Sequence, residues 1–278
     1  MSINGHTALC ALLGDPVSHS LSPLIHNIFF ETEGINGVYT AFRVKKEDVK
    51  EALEGGRALG IKGFNVTVPL KEAVIPYLSG IDPLAEAIGA VNTLVLNDEG
   101  YMGYNTDAAG FMREVKEKGF NIKGEKVIMI GAGGAANAVL NSLYALGAEG
   151  VYILNRSVEK AMEKFGSDKR NVILPLDGFN EIPGDKYFCV QCTSAGLHPD
   201  TGSAPVYDED FYKKIDRAVD IIYNPAETEF MKRVRAAGGR AENGLDMLLY
   251  QAAESFSLFN KVSVSDVAVK KAGEAIIK

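Results

Sequence analysis

Apolar and polar positions follow two alternating periodicities along the 278-residue chain. Short apolar runs of strand length alternate with stretches whose apolar residues recur every three or four positions, as on one face of a helix. The first half predicts a helix from Pro23 to Glu33 and strands over residues 8–13, 38–44, 63–68 and 91–96. This alternation is typical of an α/β protein with a mainly parallel sheet covered by helices.

A second series of predicted strands begins near Lys126. It comprises residues 126–130, 151–154, 171–174, 187–192, 218–222 and 240–242. Strands in this number with intervening helices are typical of a doubly wound, dinucleotide-binding domain. A final helical pattern, Leu245 to Phe259, has no strand partner of its own and is predicted to return to the first domain. We therefore predict a first domain of residues 1–106 with 244–278, and a second of residues 107–243.

Composition and charge exclude several classes of function for this chain. The net charge is −7 and no Lys/Arg-rich run occurs, so binding to nucleic acid or to a membrane surface is not expected. No apolar run approaches the roughly 18 residues of a membrane helix, and the N-terminus lacks a secretion-signal pattern, which predicts a cytoplasmic protein. Cys189 and Cys192 lie three apart on a predicted strand, about 10 Å from each other, too far for a disulfide. No metal site is expected, because neither the cysteines nor the histidines show ligand spacing.

A glycine-rich turn follows the first strand of the second domain. Gly131-Ala132-Gly133-Gly134-Ala135-Ala136 matches the pattern G-x-G-x-x-A between an apolar strand and a helical run. Gly131 allows the tight turn, Gly133 lets a pyrophosphate approach the backbone, and Ala136 lets the helix pack close to the sheet. The free N–H groups of the helix N-terminus then favour the phosphates. The pattern predicts dinucleotide binding by Gly131, Ala132, Gly133, Gly134 and Ala135; the alternative is merely a tight turn.

The end of the next strand indicates which dinucleotide binds. NAD sites usually place a carboxylate there for the ribose 2′-hydroxyl, but this chain has Asn155, Arg156 and Ser157, with Lys160 one turn later. A guanidinium can bind a 2′-phosphate through two parallel hydrogen bonds and can stack on adenine. We therefore predict NADP as the cofactor.

Two segments of the first domain carry candidate chemistry. Ser22 before Pro23 predicts a helix N-cap, so the hydroxyls of Ser20 and Ser22 would suit a substrate carboxylate; a plain capped loop is the alternative. Lys71 follows Pro69, where a helix is predicted to begin, so that the helix dipole would disfavour its charge. Asp107 opens another helical run. If the two meet, they form a proton-transfer pair; otherwise they are a surface amine and a helix cap.

The ordered set of motifs resembles the shikimate dehydrogenase family over nearly the whole chain. The matching segments are residues 19–23, 65–71, 89–93, 103–107, 131–136, 155–157, 220–225 and 244–251. The resemblance implies a substrate domain, a Rossmann-type NADP domain and a C-terminal helix returning to the first domain. It also implies NADP-dependent interconversion of 3-dehydroshikimate and shikimate in the biosynthesis of aromatic amino acids.

The resemblance implies a role for each matching residue. Ser20, Ser22 and Tyr223 would hold the carboxylate, and Lys71 with Asp107 would move the proton. The remaining predicted substrate contacts are Asn65, Thr67, Asn92 and Gln251, and the further cofactor contacts are Thr193 and Gly244. One position departs from the family, which usually has Asn where this chain has Gln191, two residues before Thr193 and close to the nicotinamide ribose.

Two alternative functions remain open. One is a quinate/shikimate dehydrogenase with relaxed choice of substrate or cofactor. The other is a catalytically silent NADP sensor, against which the intact Lys71 and Asp107 argue, because a sensor needs no proton transfer. The expected assembly is a monomer or a homodimer.

Overall fold

The computed structural model describes residues 3–277. They form two compact units. The first runs to Gly110 and takes up the chain again from Leu248, and the second spans Phe111–Met247. These boundaries fall inside two helices, a few residues beyond the predicted domain limits of 106/107 and 243/244.

The first unit is built on one six-stranded mixed sheet. Its strands are β1 (Ala8–Gly14), β2 (Gly37–Arg43), β3 (Gly63–Val66), β4 (Gly80–Ile81), β5 (Thr93–Leu96) and β6 (Tyr101–Tyr104). Their spatial order is β2-β1-β3-β5-β6-β4. Strand β5 is antiparallel to both β3 and β6, and the remaining pairs are parallel.

Helices cover this sheet. They are α1 (Ser22–Thr32), α2 (Val49–Ala58), α3 (Pro83–Ile88), the start of α4 (Thr106–Glu117), most of α9 (Leu245–Asn260) and α10 (Asp266–Ile277). Helix α1 buries Ile25 and Phe29 at four-residue spacing and packs against α10. Because the chain from Leu248 belongs to this unit, the predicted return of the C-terminal helix is confirmed.

The second unit has six parallel strands in doubly wound order. They are β7 (Lys126–Ile130), β8 (Gly150–Leu154), β9 (Asn171–Leu174), β10 (Tyr187–Gln191), β11 (Ile215–Asp220) and β12 (Arg240–Asn243), in the order β12-β11-β10-β7-β8-β9. The helices between them are α5 (Ala136–Ala145), α6 (Val158–Phe165), α7 (Glu209–Tyr212) and α8 (Glu229–Ala236). Alternate residues of β7 enter separate cores: Val127 packs on one face of the sheet and Ile128 on the other. Burial on both faces explains why the inner strands β7 and β8 are nearly continuous apolar runs.

The structure corrects two local predictions. No helix begins after Pro69: residues 67–74 form successive turns, followed by a 3-10 helix at Ile75–Tyr77. The Lys71 carbonyl accepts the N–H of Val91 at 2.9 Å, so this segment pairs with the chain that leads into β5 instead of with a following helical turn. The helix-dipole argument for Lys71 is therefore wrong. Ser22 is also not an N-cap but the first residue of α1, and Leu21 takes the cap position without a side-chain hydrogen bond.

Across the described residues, no helix has the length and apolar character needed to cross a membrane.

Candidate active site

The first unit brings three strand ends to one edge of its sheet. Asn65 at the end of β3 pairs with Thr93, the first residue of β5, and Thr93 pairs with Tyr104, the last residue of β6. Because β5 is antiparallel to both neighbours, its beginning lies beside their ends. The segments before β5 and after β6 therefore meet at the end of β3.

Lys71 and Asp107 are in direct contact at this edge. Lys71 Nζ lies 2.5 Å from Asp107 Oδ2, and the two side chains are 23% and 15% exposed. Asp107 is held by the first turn of α4, whereas Lys71 is held by the turns after β3. A charge-assisted hydrogen bond of this length, partly shielded from water, is short and strong. The arrangement can hold and move a proton at Nζ, while enough surface stays exposed for a small molecule to approach.

Asn92 fixes the other oxygen of Asp107. Its Nδ2 donates to Asp107 Oδ1 at 2.9 Å, and its Oδ1 accepts the backbone N–H of Thr106 at 2.8 Å. The backbone N–H is only a donor, so the amide has one orientation that satisfies both contacts. Asp107 is therefore held from both sides, by an amine and by an amide.

The loop between β1 and α1, which leads to Ser20 and Ser22, lies next to the turn that carries Thr67. The Asp15 N–H donates to the Val68 carbonyl at 3.2 Å, and the Thr67 N–H donates to the Leu13 carbonyl at 3.0 Å. A Cβ on Gly14 would lie 2.5 Å from Thr67 Cγ2, so a larger residue there would force the Thr67 side chain to shift. Further along the loop, the Ser20 and Ser22 hydroxyls lie 3.2 Å apart and are both half-buried.

Gln251 and Asn65 have different surroundings. Gln251 is half-buried on α9 and donates to the Leu248 carbonyl at 2.9 Å. Asn65 is buried, and both ends of its amide are engaged: Oδ1 accepts Tyr39 OH at 2.8 Å, and Nδ2 lies 2.9 Å from Ser255 Oγ. Asn65 therefore supports its neighbours instead of presenting an open polar group.

In the second unit, the glycine-rich turn has the backbone that a dinucleotide requires. Gly131 has φ +103°, and a Cβ there would lie 2.8 Å from Thr193 Cγ2. A Cβ on Gly133 would meet only the Cys192 carbonyl at 3.7 Å, and one on Gly134 would meet nothing within 4 Å. The turn is thus closely packed at Gly131 and open at Gly133 and Gly134, which are both exposed. It lies where the strand order reverses between β7 and β10, the point at which doubly wound sheets bind ligands.

The predicted 2′-phosphate residues follow β8. The Asn155 side chain donates to the Ser157 carbonyl at 2.7 Å and so closes the turn before α6. Arg156 and Lys160 are exposed, whereas Ser157 is half-buried and its hydroxyl lies 3.4 Å from Glu159 Oε2. Two exposed cations and an ordered turn fit a phosphate group, so the residues present suit NADP.

Gln191, the position that departs from the family, serves the loop after β10. Its side chain is fully buried, and its Oε1 accepts the Thr193 N–H. Its Nε2 donates to the Ala195 carbonyl at 3.1 Å and to Asp220 Oδ1 at 3.3 Å. Burial raises the pKa of Asp220 to about 6, against hydrogen bonds from Thr228, Ile222 and Gln191 that lower it. The longer amide therefore shapes the loop that carries Thr193.

The other predicted residues of this unit also follow strand ends. Tyr223 comes after β11 and is half-buried, and this burial raises the pKa of its phenol. Gly244 follows β12 with its backbone against Ile221, where a side chain would clash. Cys189 and Cys192 are buried free thiols, as expected.

Sequence reasoning missed Lys164, on the last turn of α6. Its Nζ donates to the Ala132 carbonyl at 3.2 Å and to the Gly133 carbonyl at 2.9 Å. An exposed lysine on a helix has no distinctive local pattern, so only the fold reveals this contact with the glycine-rich turn.

Comparison with known proteins gives matches in both units. The family model described as "Shikimate dehydrogenase substrate binding domain" matches residues 12–94, and that described as "Shikimate / quinate 5-dehydrogenase" matches residues 113–195. The chain is 42% identical to the shikimate dehydrogenase (NADP(+)) of Moorella thermoacetica, covering 98% of this chain and 96% of that protein.

Solved structures match nearly the whole length of the chain. A chorismate mutase/shikimate 5-dehydrogenase fusion protein from Clostridium acetobutylicum superposes with a TM-score of 0.91 at 38% identity, covering 98% of this chain and 97% of that chain. A shikimate 5-dehydrogenase from Thermus thermophilus, solved with NADP(H) and shikimate, gives a TM-score of 0.85 at 33% identity, covering 97% and 99%.

Proposed function

This chain belongs to the shikimate dehydrogenase family, and from that premise we propose that it interconverts 3-dehydroshikimate and shikimate with NADP, using Lys71 and Asp107 to transfer the proton. The observation that supports the proton transfer is the 2.5 Å contact between Lys71 Nζ and Asp107 Oδ2. Both residues belong to the first unit, and Lys71 lies within the residues 12–94 that the family model for the substrate-binding domain matches.

The chemistry follows from the two protonation states of the amine. When bound, NADPH supplies the hydride that reduces the ring ketone. Protonated Lys71 then gives a proton to the developing alkoxide, so that an alcohol forms and a neutral amine remains. In the oxidation direction, neutral Lys71 takes the hydroxyl proton. Asp107 holds Nζ in place in both directions through Oδ2, while Asn92 holds Oδ1.

The remaining residues bind and orient the substrate. The hydroxyls of Ser20, Ser22 and Tyr223 are proposed to hold its carboxylate, and Thr67, Asn92 and Gln251 its ring hydroxyls. Asn65, whose amide is hydrogen-bonded to Tyr39 and Ser255, is proposed to stabilise these substrate-binding residues without contacting the substrate.

The second unit is proposed to hold NADP through the turn at Gly131, Gly133 and Gly134 and through the cations of Arg156 and Lys160. Ala132, Ala135, Asn155, Ser157, Thr193 and Gly244 complete the proposed cofactor contacts. The monomer-or-homodimer assembly and the cytoplasmic location stay predictions.

A spectrophotometric assay of NADP reduction tests this function. The purified chain is mixed with shikimate or quinate, each with NADP or NAD. We expect NADP with shikimate to give the highest kcat/KM. Comparable rates with quinate would indicate the quinate/shikimate alternative, and NADP binding without turnover on either acid would indicate the silent sensor.

A further inference from the structure

Behind the Lys71–Asp107 pair lies a cluster of three buried hydroxyls that the proposed function does not use. Thr93, Thr106 and Ser255 are each at most 1% exposed. Ser255 Oγ lies 2.9 Å from Thr93 Oγ1 and 2.9 Å from Thr106 Oγ1. Ser255 comes from α9, whereas its partners begin β5 and α4, so the contact joins segments more than a hundred residues apart in sequence.

The direction of these hydrogen bonds can be worked out. The Ser255 hydroxyl donates its only proton to the Gln251 carbonyl, at 2.9 Å. Toward the two threonines and toward Asn65 Nδ2, all 2.9 Å away, its oxygen can therefore only accept. Its two lone pairs serve at most two of these three donors at a time, so the donors share one acceptor.

The same threonines also contact Asn92. Thr93 Oγ1 and Thr106 Oγ1 lie 3.0 Å and 3.2 Å from Asn92 Oδ1, the atom that already accepts the Thr106 N–H. Asn92 in turn donates to Asp107. Each threonine hydroxyl has one proton, which goes either to Ser255 or to Asn92. Thr106 also donates its backbone N–H to Asn92 Oδ1, so Thr106 links Ser255 to the amide that holds the carboxylate beside Lys71.

We propose that Ser255 is a positioning residue for proton transfer. Its buried hydroxyl fixes the orientation of the two threonine side chains, and through them the orientation of the Asn92 amide that holds Asp107 against Lys71. This inference rests on the proposed function, since it acts through the same pair. Without the Ser255 oxygen, the two buried threonine hydroxyls lose one of their acceptors, and both then compete for Asn92 Oδ1. A partly satisfied buried network loses the fixed geometry that a fully satisfied one provides.

The test compares Ser255→Ala with a matched control, Ser257→Ala. Ser257 lies on the same helix and donates to the Ala253 carbonyl at 2.8 Å, so it makes the same kind of bond without the cluster. Small displacements of catalytic groups cost up to about a hundredfold in rate. We expect Ser255→Ala to lower kcat for shikimate oxidation about ten- to a hundredfold, and Ser257→Ala to change it less than about twofold.

A double-mutant cycle with Asn92→Ala separates positioning from general damage to the fold. If Ser255 acts through Asn92, Ser255→Ala will lower kcat less than about twofold in the Asn92→Ala background. The same loss in both backgrounds would overturn the proposal, as would an unchanged kcat in the single variant. Lys71→Ala is measured in parallel. If Lys71→Ala lowers kcat but Ser255→Ala does not, the proposal for Ser255 fails while the proposed proton transfer by Lys71 stands.

Should Ser255→Ala fail to fold, Thr106 offers a second test. Thr106→Val removes the hydroxyl at nearly constant shape, and Thr106→Ser keeps it. We expect Thr106→Val to lower kcat about tenfold and Thr106→Ser to restore it to within about threefold of the parent. Equal kcat for the two variants would contradict the proposal.

Discussion

We expect the buried carboxyl of Glu114 to make the stability of the second unit depend on pH. It lies on α4 at the start of this unit, and its side chain is fully buried. Burial raises its pKa from 4.5 to about 8; Asp246 and Glu242 add to the effect, and Lys118 opposes it. The folded protein therefore keeps Glu114 neutral at pH values where the unfolded chain has ionised it.

The size of the effect follows from the two pKa values. Below pH 4.5 both states are protonated, and Glu114 has no pH-dependent effect. Between 4.5 and about 8 only the unfolded state is ionised, so the free energy of unfolding falls as pH rises. At about 1.4 kcal/mol per pH unit, the loss reaches roughly 3 kcal/mol at pH 7 and about 5 kcal/mol above pH 8.

Glu114→Gln keeps the shape of the side chain and removes its titration. Denaturant unfolding of parent and variant at pH 5, 7 and 9 gives the difference in free energy of unfolding at each pH. We expect this difference to move in favour of the variant by several kcal/mol between pH 5 and pH 9. Glu117→Gln, an exposed position on the same helix, is the control and should show no such trend. If the Glu114→Gln difference is constant across this range, the reasoning is refuted.

Two predictions concern the cofactor. Arg156→Ala should weaken NADP binding far more than NAD binding, because only NADP carries the 2′-phosphate; equal losses by fluorescence titration would remove this assignment. Gly131→Ala should reduce NADP affinity at least about tenfold, since its φ of +103° and the 2.8 Å approach to Thr193 leave no room for a Cβ. Gly134→Ala, where a Cβ meets nothing within 4 Å, is the matched control, and equal effects of the two changes would contradict the geometry.

The inner strands of the second unit could be predicted well from sequence because they are buried on both faces. The apolar run at Lys126–Ile130 coincides with the observed β7, whose last four residues are buried. The outer strand β9 was also predicted at Asn171–Leu174, from a short apolar run that is only half-buried. In the first unit, the short strands β4 and β6 and helix α10 were not predicted. The turn at Lys71 was misread as a helix because its carbonyl pairs with Val91, a distant partner that no local pattern reveals.

The candidate site also contains some residues that the sequence predicts and others that only the fold reveals. The Lys71–Asp107 contact was a conditional expectation, and the structure brings the two groups together. Ser255 and Lys164 could not be found in advance, because a serine or a lysine within a helical pattern is ordinary. Both are distinguished by contacts with residues far away in sequence, Ser255 by its contact with Thr106 and Lys164 by its contact with Gly133.

The steady-state kinetics of Lys71→Ala test the central claim most directly. General acid–base catalysis contributes about 100- to 10,000-fold, so kcat should fall by that factor while KM for shikimate changes little. A fall in kcat of less than about tenfold, in a variant that still binds shikimate and NADP, would contradict proton transfer by Lys71.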